Sequence, residues 1–284
     1  MSIPTKKLTN GLEIPILGFG TWLMGGAMEH DTENNDAGDI ASLQEACETG
    51  ITHFDTAEMY ANGYAETLLG IALENVNRDT LFITSKVHPK NLAYDDVLHA
   101  CKNSLQRLKM NYLDLYLIHA PSKTGVPLSE TIRAFNTLLS EGIIKNWGVS
   151  NFDIPQMEEA RSYSSIKMVT NQVHYNLIIR EPEHNGVLTY SQKNDIILTA
   201  YRPLQQGGIN NDATLMYKMS KKYQKTPAQI SLNWLISQEN VITIPRMKNK
   251  EHLDENLGAL GWTMEKEDVE LLRNNYPNQK TTRH

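Results

Sequence analysis

The stretch His53-Phe54-Asp55-Thr56-Ala57-Glu58-Met59-Tyr60 decides how the rest of the chain is read. The run Ile51 to Phe54 has the apolar character of a short buried strand. It ends in a carboxylate, Asp55, and a polar loop then carries Glu58 and Tyr60. Two later runs end in the same manner: Leu81 to Ser85 leads into Lys86, and Leu113 to Ile118 into His119. An acid, a phenol, an amine and an imidazole are therefore expected at or just past the C-terminal ends of three consecutive strands. If those strands are parallel members of a barrel, the four groups share the face on which barrel active sites lie.

Upstream, Lys6 to Thr9, Asn10-Gly11 and Leu12 to Ile14 predict a hairpin, with Asn-Gly as a type I′ turn. Standing outside any strand–helix repeat, it is expected to close the barrel bottom. Ile16 to Gly20 reads as the first buried strand, and a Gly-rich loop follows. A helix is predicted from Asp39 as N-cap, with Ile40, Leu43, Ala46 and Cys47 at helical spacing and Gly50 just past its end. Downstream the alternation repeats. Helices are predicted over 64–75, 94–108, 127–140 with Pro127 in the first turn, after Pro155, and over 183–192, 215–223, 227–237, 251–257 and 265–274. Strands are predicted over 143–149, 168–173, 196–200 and 241–244.

Counted from Ile16, this makes eight strand–helix units. The expected fold is α/β, a (β/α)8 TIM barrel forming a single domain over residues 1–284, against a typical length of ~250. A doubly wound sheet is disfavoured, because Gly18-Phe19-Gly20 is followed by Thr21-Trp22-Leu23 and lacks the third glycine of a dinucleotide fingerprint.

Composition narrows the function classes. Hydrophobic residues make up 40%, enough for a packed core, yet no apolar run reaches the ~20 residues a membrane span needs. Met1 to Lys7 contains no apolar leader segment. Cys47 and Cys101 fall on apolar helix faces without metal-ligand spacing, which predicts reduced thiols in a cytoplasmic protein and no metal. A net charge of −6 gives no general surface for nucleic acid or membrane, so any anion site is local. A monomer is the expectation.

Asp55, Tyr60, Lys86 and His119, within "FDTAEMY", "TSK" and "LYLIH", resemble the catalytic tetrad of the aldo-keto reductases. The chemistry of the four groups is consistent with that. A free tyrosine has a pKa of ~10, high for an acid near neutrality, and a cation within hydrogen-bonding reach lowers it by ~1–3 units. Lys86 would supply the cation and Asp55 would hold it. His119, presenting a neutral N–H, would orient a carbonyl oxygen to which Tyr60 gives a proton. Side chains supply no hydride, so a nicotinamide cofactor is required.

Further segments resemble the same family in the same order. Gly148 to Phe152 is similar to its "GxSNF" and Asn171-Gln172 to its "NQ", which implies that Ser150, Asn151 and Gln172 hold the nicotinamide carboxamide. Ala200 to Leu204 resembles "AYSPL", implying that Tyr201 stacks on the nicotinamide, with Arg202 in place of the usual serine beside Pro203 and Leu204. The loop of Gln205, Gln206, Gly207 and Gly208 is expected to wrap the pyrophosphate. Ile244 to Asn256 resembles the adenosine site, with Arg246, Lys248 and His252 at its basic positions and Glu255 and Asn256 at its adenine contacts. Many members carry Trp where this chain has Ala120, which implies a wider carbonyl pocket lined by Trp22 and Met24, with His88 and Met59 as further candidates. The resemblance implies NADPH as cofactor, with NADH as an alternative, and a small aldehyde or ketone as substrate. Two rivals remain: a nicotinamide-binding regulatory or redox-sensing subunit, and a sugar-phosphate isomerase barrel. The second has no use for Gln172, Tyr201 and residues 246–256 together.

Overall fold

The computed structural model describes residues 2–205, 213–277 and 279–280. Strands β1 (Thr5–Lys7) and β2 (Glu13–Pro15) pair antiparallel, with Lys6 opposite Ile14. The connection differs from the expected type I′ turn. Only Gly11 has positive φ, at 89°, whereas type I′ needs two such residues. Gly11 N bonds to Leu8 O and Leu8 N to Leu12 O, which is a turn followed by a glycine bulge. Lys6 Nζ reaches Gln238 O, and Thr9 bonds to Asp195. Both partners precede strands of the barrel, so the hairpin covers its N-terminal mouth.

The remaining strands are β3 (Phe19–Gly20), β4 (His53–Asp55), β5 (Phe82–Val87), β6 (Leu113–Ile118), β7 (Ile144–Ser150), β8 (Thr170–His174), β9 (Ile197–Tyr201) and β10 (Val241–Thr243). They pair in parallel in chain order. A parallel bridge from Leu17 to Thr243, with Gly18 N to Thr243 O at 2.9 Å and Thr243 N to Ile16 O at 3.0 Å, closes the ring. Gly20 is required at this seam: a Cβ there would sit 2.6 Å from Ile244 O.

Helices α1 (Asp36–Glu48), α2 (Tyr64–Ala72), α3 (Tyr94–Leu108), α4 (Leu128–Ser140), α5 (Ile154–Ser162), α6 (Glu181–His184), α7 (Val187–Lys193), α8 (Ala213–Tyr223), α9 (Pro227–Ile236), α10 (Lys250–Leu257) and α11 (Lys266–Asn275) make up the rest. The predicted helix 183–192 is split into α6 and α7, because Gly186 is left-handed between them. Pro127 is the N-cap residue of α4 and lies outside the first turn. Asp39 does not cap α1. Asn35 does, its side chain accepting from Gly38 N, and Asp39 lies buried in the first turn. Apolar faces such as Leu43, Leu68, Leu69, Val97, Ile132 and Phe135 pack onto the barrel's outer surface. Each such side chain contributes about 1.5–3 kcal/mol when fully buried.

No described helix is long and apolar enough to cross a membrane.

Candidate active site

Side chains alternate along a strand, so His53 and Asp55 of β4 face the same way, as do Thr84 and Lys86 of β5. Asp55 is in register with Thr84, and the result is two buried polar rungs. His53 Nε2 meets Thr84 Oγ1 at 3.1 Å, and Lys86 Nζ donates to Asp55 Oδ1 at 2.6 Å. Lys86 also donates to Thr56 O at 2.8 Å and to the Tyr60 hydroxyl at 3.2 Å, so its three N–H bonds are all used. Gln172 Nε2 donates to the other Asp55 oxygen at 2.7 Å. Tyr60 is positioned by an unusual backbone. Ala61, Asn62 and Gly63 after it all have positive φ, at 48°, 52° and 87°. Such a turn turns the chain sharply between the phenol and α2.

The Tyr60 ring packs edge-on against Trp22, at 5.0 Å between centroids, and against His119, at 5.6 Å. His119 sits just beyond β6, with its N–H on Val87 O and its carbonyl accepting from Asn151 Nδ2 at 3.2 Å. Burial, and then the charge of Lys86, holds its imidazole well below the usual histidine range, so it is neutral. Its Nδ1 is buried and has no partner among the described residues. For Lys86, burial works against the charge, but Asp55 and Tyr60 outweigh it and the ammonium titrates above its ordinary value. For Tyr60 the expected downward shift is reversed. Burial raises the phenol more than Lys86 lowers it, with Asp55 also raising it.

Asp55, Tyr60 and His119 line one wall of a cavity of about 980 Å³, with Lys86 buried behind them. Beyond them come Ser150 and Asn151. Ser150 Oγ donates to Gln172 O, and Asn151 accepts from the Tyr201 hydroxyl at 2.9 Å. Tyr201 also stacks on His174. Arg202, in left-handed backbone at φ 51°, Pro203 and Leu204 also line the cavity, as do Arg246 and Lys248 from the loop after β10 and His252, Glu255 and Asn256 from α10. Asn249 caps α10 by accepting from His252 N. Gln206, Gly207 and Gly208 lie outside the described residues.

Two expectations for the carbonyl end are corrected. Met24 is fully buried and His88 turns aside, and neither lines the cavity. Leu23, Met59 and Pro89 line it with Trp22 and Ala120. Leu23 has φ 73°, which exchanges the side chain that faces inward. His88 is held by its neighbours: its N–H donates to Glu58, and its Nδ1 accepts from Lys90 N. Glu58, inside the deciding stretch, also accepts from Asn91 Nδ2 and so ties the loop carrying Pro89 to the loop carrying Tyr60. Burial pushes its carboxyl above the usual range. Its presence beside the four chemical groups was the only signal in the sequence. Gln172 gives one of the two N–H bonds of its amide nitrogen to Asp55, which leaves the second N–H and the oxygen for a ligand.

Residues 16–276 match the Aldo/keto reductase family. The chain belongs to that family. A methylglyoxal reductase of Escherichia coli is 34% identical over 280 residues, 96% of this chain and 95% of the relative. A glyoxal reductase of Bacillus subtilis is also 34% identical, over 94% of this chain and 91% of its own. Among solved structures, a thermostable aldo-keto reductase bound to the inhibitor epalrestat superposes with a TM-score of 0.90 at 40% identity, covering 96% of this chain and 99% of that one. A Klebsiella pneumoniae aldo/keto reductase bound to NADP and acetate gives 0.87 at 34% identity, covering 99% and 98%. As an aldo/keto reductase, the protein is a carbonyl oxidoreductase built on a (β/α)8 barrel.

Proposed function

We propose that this aldo/keto reductase reduces small reactive aldehydes and ketones to alcohols with NADPH, acting as a single-domain monomer without nucleic-acid partner. The observation that carries the reading is the Lys86 ammonium bonded to both Asp55 and the Tyr60 hydroxyl on the cavity wall. The donor set suits a dinucleotide. Amides lie beside His119 and Asp55, and Arg202, Arg246, Lys248 and His252 line the same cavity, with Arg246 Nε buried and unpartnered among the described residues. Ser150, Asn151 and the Gln172 oxygen would hold the carboxamide, and Tyr201 the ring. Arg202 would meet the pyrophosphate, and Arg246 and Lys248 the 2′-phosphate. When bound, the nicotinamide supplies the hydride taken up by the carbonyl carbon.

The chain's own residues do the rest. His119, neutral, donates a hydrogen bond to the carbonyl oxygen without giving up a full charge. Tyr60 transfers its hydroxyl proton to that oxygen as negative charge develops there. Lys86 stabilises the phenolate left behind, and Asp55 with Gln172 keeps the ammonium in line. The raised phenol is suited to this direction, since it stays protonated across neutral pH. The apolar wall of Trp22, Leu23, Met59, Pro89 and Ala120 favours small uncharged carbonyl compounds, and the methylglyoxal and glyoxal reductases among the relatives support that class. The test is to mix the protein with NADPH and a panel including methylglyoxal, glyoxal and larger aldehydes, following the loss of reduced-cofactor absorbance. Absence of turnover on every aldehyde, with NADPH bound, would favour the regulatory-subunit reading instead.

A further inference from the structure

Arg246, just after β10, does not enter the cavity as a free cation. One terminal nitrogen of its guanidinium lies 3.5 Å from Asp39 Oδ1. Asp39 is in the first turn of α1, and its side chain is 8% exposed. The carboxylate is fixed by groups other than the arginine. Its Oδ2 accepts from Gly25 N at 3.0 Å and from Asn34 Nδ2 at 2.9 Å. Its place in the first turn of α1 sets its negative charge against the positive end of the helix dipole. The charge at this point is therefore built into the fold and does not depend on Arg246 for its place. The same helix meets the same basic segment again, where Glu45 lies 3.4 Å from Lys250. Among the described residues Lys248 has no such partner.

We infer that Asp39 is a specificity-determining residue, whose fixed carboxylate beside Arg246 limits how strongly the site prefers a 2′-phosphorylated nicotinamide cofactor over the unphosphorylated one. This rests on the reading of Arg246 as the 2′-phosphate contact. A dianion held by Arg246 feels the like charge of Asp39 beside the same guanidinium, and part of the attraction is offset. A ribose 2′-hydroxyl is uncharged and loses nothing. The carboxylate therefore penalises one cofactor and spares the other, and specificity is the difference between the two affinities. The arrangement assigns to this enzyme a weaker discrimination than Arg246 and Lys248 alone would give, with NADH usable.

The test is the dissociation constant of NADPH and of NADH, read by quenching of tryptophan fluorescence, for the wild type, Asp39→Asn, Arg246→Ala and the double variant. Asp39→Ser serves as a second uncharged variant that keeps an oxygen for Gly25 N. Removing the charge should tighten NADPH by roughly tenfold, the scale of one charge-assisted interaction, and steepen its salt dependence. NADH should stay within about twofold. In the Arg246→Ala background the gain should vanish. If Arg246→Ala lowers the NADPH preference but Asp39→Asn and Asp39→Ser leave it unchanged or lower it, the carboxylate merely positions the arginine and the inference is wrong. If Arg246→Ala itself leaves the preference unchanged, the underlying 2′-phosphate reading fails first.

Discussion

Replacing Lys86 by Met removes the cation from the centre of the tetrad while keeping most of the side-chain volume. The structure gives the scale of the effect. At 3.2 Å, a unit charge acts on a phenolate with about 5 kcal/mol at an effective dielectric of ~20. The Asp55 carboxylate, 2.6 Å from the same ammonium, cancels part of that, leaving the ~1–3 pKa units usual for a neighbouring opposite charge. Tyr60 in Lys86→Met should therefore titrate still higher than in the wild type, where burial already raises it. A weaker acid transfers its proton less readily, so kcat should fall by roughly 10²–10⁴. The alkaline limb of the pH–rate profile, where the phenol ionises, should move to higher pH. Alcohol oxidation, which needs the phenolate, should suffer more than reduction. The substitution also leaves Asp55 buried with Gln172 as its remaining side-chain partner, at a cost of about 3–5 kcal/mol in stability. Adding Asp55→Asn should recover much of the stability and none of the rate. The assays are kcat across pH in both directions and urea unfolding of the wild type and the two variants. A loss of kcat with an unmoved alkaline limb would refute the coupling of Lys86 to Tyr60.

Tyr60→Phe should bind NADPH with unchanged affinity, by fluorescence titration, and lose about 10²–10⁴ in kcat; near-normal reduction would remove Tyr60 from the acid role. His53 is fully buried, and burial lowers it to about 4 from an ordinary 6.5. Because the folded value is the lower one, its contribution to stability is complete above pH ~6.5 and is lost as pH falls toward ~4, at up to ~1.4 kcal/mol per unit. Glu58 and Glu66, both raised by burial, act in the opposite sense. Unfolding free energies of wild type and His53→Gln at pH 7 and pH 4.5 should converge at the lower pH; a constant gap would count against this. His119 is also held well below its ordinary value, so kcat should show no break near pH 6.5, and such a break would mean that the imidazole charges in the working enzyme. Ala120→Trp should raise KM for bulky aldehydes by roughly tenfold and leave small dicarbonyls nearly unaffected. An equal effect on both would place Ala120 outside the substrate's path.

The parts of this protein that were legible in its sequence are those set by residue type and short-range spacing. Helix α3 and strand β6 occur at their expected bounds, because Val97, Ala100, Cys101 and Leu108 repeat at helical spacing and Leu113 to Ile118 is a buried run. The clustering of Asp55, Tyr60, Lys86 and His119 was legible because each lies near the C-terminal end of a strand or just beyond it, and parallel pairing in chain order brings such ends together. What escaped depends on backbone handedness or on partners remote in the chain. Leu23 exchanges places with Met24 through one left-handed residue, and propensity does not anticipate positive φ in a leucine. Asp39 shows the second limit. A polar residue ahead of Ile40 and Leu43 satisfies the local rule for a cap, yet Asn35 can satisfy it too, and local rules do not choose between them. The choice follows from the loop before α1, where Gly25 and Asn34 need an acceptor, and from Arg246, which the closing strand β10 delivers to the same place. A capping side chain turns back onto its own helix, whereas a residue one turn further in can face another element. That difference of one turn places the Asp39 charge beside Arg246, which lines the cavity, instead of at solvent, and makes a residue with no motif of its own a candidate for setting cofactor choice.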